Sequence, residues 1–183
     1  VPASLFDTFT KVTSPGFKNL FDNAGIKTIP AGLFANNVHT SSGFESLFEN
    51  CLNLKTIEGS IFPTTTTVSS IAYAFCNCPQ LESIPEDLFA PFGDAKLKFT
   101  ATFAGCKSLK SIPAGLFASN PKTKQFSETF ADCSSLESIP EGLLSSCADI
   151  TTVKGMFHGC TSLKAIPAGL FANNPSIQYF ERT

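Results

Sequence analysis

Seven cysteines and two histidines are the residues of this 183-residue chain best equipped for covalent or metal chemistry. Five of the thiols, Cys51, Cys78, Cys106, Cys133 and Cys160, recur at steps of 27, 28, 27 and 27 residues, and Ala24 stands one step earlier. If each step carries the chain to the next rung of a stack, neighbouring thiols lie about 4.8 Å apart, and distance alone does not forbid a disulfide between rungs. Buried free thiols in a small-residue slot make the same column. The odd total and the regular spacing favour free thiols. Cys76 and Cys147 lie off the column. Cys76-x-Cys78 is a poor zinc motif, because alternate residues of an extended segment point opposite ways and no second pair is present. His158 stands two residues before Cys160, as in a Cys–His nucleophile pair. A working thiolate must be exposed and activated, whereas Cys160 belongs to the column. At one-step intervals the place of His158 is taken by Asp22, Glu49, Cys76, Ala104 and Ala131, the variability of an exposed site. His39 sits in a Ser/Thr-rich loop with no evident partner, and Gly105-Cys106-Lys107-Ser108 lacks the earlier glycines of a phosphate loop. The chain is therefore expected to have no catalytic residue, no metal site and no cofactor.

The same step orders one set of charges: Lys27, Lys55, Glu82, Lys110, Glu137 and Lys164. From Lys55 onward the signs alternate, so that opposite charges become neighbours across a ladder, each pair contributing about 0.2–1 kcal/mol. Two readings stand side by side. One is a solvated strand face with good pairing. The other is a ligand-facing stripe made of Lys55, Thr56, Glu82, Ser83, Lys110, Ser111, Glu137, Ser138 and Lys164, since repeat proteins bind along such faces.

Phenylalanine shows what positions these groups. Phe21, Phe48, Phe75, Phe103, Phe130 and Phe157 follow one another at steps of 27, 27, 28, 27 and 27, the mark of a supersecondary unit copied in tandem. Full copies span 17–43, 44–70, 71–98, 99–125, 126–152 and 153–179, with partial copies at 1–16 and 180–183. Counting from the start of a copy, position 5 is Phe, position 8 is Cys, position 11 is Leu and position 14 is Ile, normally followed by Pro; positions 18 and 19 are Leu-Phe. Of 19 Phe, all but Phe9 and Phe92 fall at positions 1, 5 or 19, so Phe fills the core, at about 2 kcal/mol for each buried ring. The first full copy is one residue short between Phe21 and Ile29, so that Ile26 takes the position-11 role, and the third, near Phe92, is one residue long. Neither end carries the polar cap a repeat array needs, so the chain reads as a piece of a longer array forming one domain over 1–183.

In one unit, Ser108 to Ile112 is expected to be a short parallel strand ended by Pro113, with equivalents at 53–57, 80–84, 135–139 and 162–166. Pro113 to Phe117 reads as one helical turn with Pro at its start, Asn120-Pro121 as a loop, and Thr123 to Phe126 as a second extended edge before a tight turn at Glu128 to Ala131. The expected fold is an α/β repeat solenoid, with one short parallel strand and short helical turns per copy, coiled as a right-handed superhelix. Apolar spacing of three at positions 5, 8, 11 and 14 fits neither strand nor helix; it suits a coil that bends at corners. Charged residues make up 15% and the net charge is −2, which argues against nucleic acid as partner. No apolar run approaches the ~20 residues of a membrane span. With Trp absent and only Tyr73 and Tyr179 outside the Phe set, no exposed aromatic platform for sugars is evident.

The phrase Phe103-Ala-Gly-Cys106-Lys-Ser-Leu109-Lys-Ser-Ile112-Pro113, echoed from Phe157 to Pro167, resembles the units of the BspA-like bacterial leucine-rich repeats, which read roughly aFxgCxsLxxIxxP. The resemblance covers essentially the whole chain. It implies a leucine-rich-repeat fold in a secreted or cell-surface protein used for adhesion or binding, with a protein or extracellular polymer as partner. That family has no common catalytic residues to carry over. A purely structural spacer in a longer surface array is the competing expectation.

Overall fold

A computed structural model of the protein describes residues 1–9, 12, 16–38 and 43–182; His39 and its loop to Ser42 lie outside them. Successive copies lie side by side and are stitched together by three sets of backbone bonds. The densest set runs through positions 1 to 8. In the copy beginning at Phe99, the N–H groups of Phe99, Ala101, Phe103 and Gly105 donate to the carbonyls of Gln125, Ser127, Thr129 and Ala131 in the next copy, at 2.8–3.0 Å. The alternate N–H groups stay local: Thr102, Ala104 and Cys106 donate to Phe99, Ala101 and Phe103, each at 3.2 Å. Odd positions thus bind the neighbour and even positions close turns.

Left-handed residues make that alternation possible. Position 3 (Asn19, Ser46, Tyr73, Ala101, Glu128, Gly155) and position 7 (Asn23, Asn50, Asn77, Gly105, Asp132, Gly159) all have φ between 50° and 74°. At position 7 the residue types suit the conformation, because Asn, Asp and Gly tolerate it best. At position 3, Tyr73, Ala101 and Glu128 have no such preference; the bonds to the next copy impose the backbone on them. The corners that a three-residue spacing demanded are therefore chains of tight turns. The turn series continues past the proline, where Leu88, Leu116, Leu143 and Leu170 donate to Pro85, Pro113, Pro140 and Pro167 at 3.1–3.4 Å. Among the described residues, only Ala3–Phe6 and Ala90–Phe92 extend such turns into 3-10 helices.

The expected strand in every copy is not found. Among the described residues, regular strand occurs only at β1 (Thr28–Ile29) and β2 (Thr56–Ile57), paired in parallel with Thr28 opposite Thr56. Elsewhere one or two bonds link neighbours in this region, such as Glu82 N–H to Lys55 O at 3.2 Å and Glu137 N–H to Lys110 O at 3.0 Å. The cause is position 15. Directly after β2 it is Glu58, whose N–H donates to Ile29 O at 3.0 Å; in the later copies it is Pro85, Pro113, Pro140 and Pro167, which have no N–H to give. The parallel contact moves instead to the second extended edge, where isolated bridges join Lys98 to Gln125, Gln125 to Thr152 and Thr152 to Tyr179.

One hydrophobic cluster runs from Phe17 to Leu170. Its spine is the position-5 column, whose rings stack nearly parallel: Phe48 on Phe75 at 5.7 Å, Phe75 on Phe103 at 5.4 Å, Phe103 on Phe130 at 5.6 Å. Position-19 rings meet position-1 rings edge-on, as Phe117 does with Phe99 at 4.8 Å and Phe126 at 4.9 Å. Phe92 also lies in the core, against Phe62 at 4.8 Å.

Candidate functional site

The cysteines serve the stack. All seven are free and buried, and each column thiol donates to the position-5 carbonyl of the preceding copy: Cys51 to Phe21, Cys78 to Phe48, Cys106 to Phe75, Cys133 to Phe103 and Cys160 to Phe130, at 3.1–3.3 Å. The slot therefore holds a donor as well as a small side chain, a role the sequence does not disclose. Cys147 belongs to a second buried column. Asn120 and Asn174 bridge from there to carbonyls of the preceding copy, Asn120 to Phe89 and Gly93, Asn174 to Leu144 and Cys147. Cys147 makes the like contact to Asn120 O at 3.4 Å. Burial pushes the Cys51, Cys76 and Cys160 thiols up to about 11, and Cys147 to about 12. Cys78, Cys106 and Cys133 are raised further for the same reason. No thiol is ionised near neutrality, so none is poised as a nucleophile. His158 is exposed while Cys160 is buried, and no group of three His, Cys, Asp or Glu among the described residues could hold a metal ion.

The stripe at positions 12 and 13 is exposed throughout, from Lys55 and Thr56 through Glu82, Ser83, Lys110, Ser111, Glu137 and Ser138 to Lys164. The sign alternation becomes two ion pairs, Lys55 with Glu82 at 3.0 Å and Lys164 with Glu137 at 3.6 Å. Lys110, between them, is in neither pair. All four partners are more than half exposed, so each bond contributes little to stability.

A second surface feature was not anticipated. A recess of about 570 Å³ opens on the surface, and no stripe residue lines it. Its walls are the left-handed corners: Tyr73, Ala101 and Glu128 from position 3, Asn77, Gly105 and Asp132 from position 7. The recess lies where the middle copy carries Ala101 and Gly105 between Tyr73 and Asn77 of one neighbour and Glu128 and Asp132 of the other, with the small Ala104 beside them. A Cβ on Gly105 would stand 2.6 Å from Asn77 Oδ1, so the Asn77 side chain would have to shift to admit one. The asparagines themselves form a ladder, Asn77 donating to Asn50 Oδ1 at 3.1 Å and Asn50 to Asp22 Oδ1 at 3.0 Å. Glu128 and Asp132 are in no ion pair among the described residues.

These features define a tandem-repeat protein whose copies hydrogen-bond side by side and whose polar chemistry lies on outer faces. No family model matches the chain, and no curated protein does. Several solved structures are similar. A leucine-rich repeat protein from Bacteroides ovatus shares 24% identity over 76% of this chain, with a TM-score of 0.39. One from Eubacterium ventriosum shares 18% over 87%, with a TM-score of 0.45. The T. pallidum leucine-rich repeat protein shares 20% over 78%, with a TM-score of 0.34, and 74% of its own length is covered. The chain spans about a third of the Bacteroides and Eubacterium proteins, 34% and 36%. No helix among the described residues is long and apolar enough to cross a membrane.

Proposed function

We propose that this chain is a non-catalytic interaction module of leucine-rich-repeat type, of the BspA-like kind, in a secreted or surface-anchored bacterial protein that adheres to a protein or an extracellular polymer. In this reading residues 1–183 form one domain coiled as a right-handed superhelix, and the partner lies along the position-12 and position-13 stripe. One observation carries the reading: the five column thiols are turned into the stack as structural donors, while polar residues ordered by the repeat face outward. An extended surface of that kind suits an extended partner, and repeat proteins use such faces for binding.

A spacer role has its own support, because the stripe's charges partly neutralise one another through Lys55–Glu82 and Lys164–Glu137. A binding screen over immobilised extracellular proteins and polysaccharides separates the two. An interaction module binds a member of the panel, and the triple reversal Lys55→Glu, Lys110→Glu, Lys164→Glu abolishes that binding with the fold retained. A spacer binds none. Binding that survives the triple reversal rejects the stripe.

A further inference from the structure

Four lysines gather where two copies meet at the second extended edge. Lys96 and Lys98 close the copy 71–98, and Lys122 and Lys124 occupy the same edge of the next. The parallel bridge between Lys98 and Gln125 holds the two segments side by side. Together with Leu97 and Gln125, the four line a depression of about 180 Å³. All four lysines are exposed, and none is in an ion pair among the described residues, Lys98 acting on Glu45 only through space. The ion pairs elsewhere take Lys18, Lys55, Lys154 and Lys164, so four of the 13 basic residues stand unpaired in one small hollow of a chain whose net charge is −2. Stability gives no reason for this, because like charges gathered in one place repel.

We propose that this depression binds a sulfated polysaccharide, its closely spaced anionic groups seated among Lys96, Lys98, Lys122 and Lys124. Lysine meets an anion as a point charge, and a polymer with several anionic groups per disaccharide can engage more than one ammonium at once. Other polyanions fit less well. No aromatic ring and no Arg lines the hollow, so unpaired bases have nothing to stack on. Its one apolar residue, Leu97, is 1% exposed, so nothing is available to enter a lipid surface. At physiological salt, charges act over about 8 Å, a range in which the local cluster outweighs the weak net charge of the whole chain. This surface is separate from the stripe, and the inference does not depend on the stripe binding anything.

The probe is heparin, by retention on an immobilised column and by titration calorimetry, with hyaluronan, duplex DNA and phosphatidylserine vesicles as comparison ligands. The chain should be retained on heparin and released by salt. With about 0.7 counterions released per charge, as for a flexible polyanion, four charges give roughly a 50-fold loss of affinity between 50 and 200 mM salt. The quadruple change Lys96→Gln, Lys98→Gln, Lys122→Gln, Lys124→Gln should remove retention, and each double change, Lys96→Gln with Lys98→Gln or Lys122→Gln with Lys124→Gln, should weaken it. A stripe variant, Lys55→Gln with Lys110→Gln and Lys164→Gln, should be retained as the unmodified chain is. The double variants also serve if the quadruple one fails to fold. No retention of the unmodified chain, retention that neither double variant weakens, loss through the stripe variant, or equal lysine-dependent binding to DNA, vesicles or hyaluronan would each overturn the proposal.

Discussion

Replacing Phe103 by alanine tests whether stability runs along the phenylalanine column. Its ring is fully buried. It lies 5.4 Å from Phe75 and 5.6 Å from Phe130, at interplanar angles of 7° and 6°, with Phe89 at 6.0 Å on its flank. Truncation opens a cavity in mid-column and breaks both stacks. Phe→Ala changes in a core cost about 3–5 kcal/mol. Two stacked pairs, each worth about 0.5–1.5 kcal/mol beyond area, put Phe103 near the top of that range. Phe21 is half-buried and stacks on one column neighbour, Phe48 at 5.2 Å, with Phe6 edge-on at 6.0 Å. Half the burial and one stack give roughly 2–3 kcal/mol for Phe21→Ala. The difference of about 2 kcal/mol, at a urea m-value of about 2 kcal/mol/M, separates the two midpoints by about 1 M. Removing a central rung also severs nearest-neighbour coupling on both sides, and an outer rung on one. Coincident urea midpoints for Phe103→Ala and Phe21→Ala, at unchanged m, would refute the column as the carrier of stability.

The thiols make stability depend on alkaline pH. Folding raises Cys51, Cys76 and Cys160 from about 9.0 to about 11 by burial. The folded chain therefore keeps protons that the unfolded chain releases, so the stabilisation is full below pH 9 and is lost as pH rises toward 11. Urea midpoints measured from pH 7 to 10.5 should be level at first and fall above pH 9; a level line throughout contradicts the burial. Titration of the denatured, unreduced chain should find seven free thiols, and a smaller number would mean linked rungs. Gly105→Ala places a Cβ at φ +74° and 2.6 Å from Asn77 Oδ1, and should cost about 1–2 kcal/mol. Gly25→Ala, with open space around it, should stay within about 0.5 kcal/mol. Equal thermal midpoints for the two would show the left-handed corner to be dispensable.

The period, the core columns and the burial of the thiols were legible because they depend on side-chain size and polarity, which the repeat writes out six times. Hydrogen-bond geometry was less so. The Leu-x-x-Ile-Pro phrase has strand composition, yet the proline withdraws the very donor that Glu58 supplies to Ile29, so a strand pair is completed where Glu58 stands in the proline's place. Position 7 carried a readable sign of left-handed backbone in its run of Asn, Asp and Gly. Position 3 carried none, since Tyr73, Ala101 and Glu128 accept that conformation only under the pull of the next copy's carbonyls. Cys147 was opaque because it shares with Asn120 and Asn174 nothing but a donor aimed at the same kind of carbonyl.

The two surface features that sequence reasoning missed have one cause. A search for residues that obey the period finds first what every copy needs for stacking, and those residues are consumed by it: Phe in the column and Cys on its carbonyls. Recognition draws on what the stack leaves over, the outward stripe and the places where copies differ. The recess forms because Ala101, Ala104 and Gly105 are small between Tyr73 on one side and Glu128 and Asp132 on the other. The basic hollow forms because Lys-x-Lys occurs at 96–98 and again at 122–124, in two adjoining copies and no others. A net charge of −2 concealed it, because net charge averages over faces that a ligand meets one at a time. In a repeat chain, then, the period identifies the scaffold, and local breaks in the period are the places to look for a ligand.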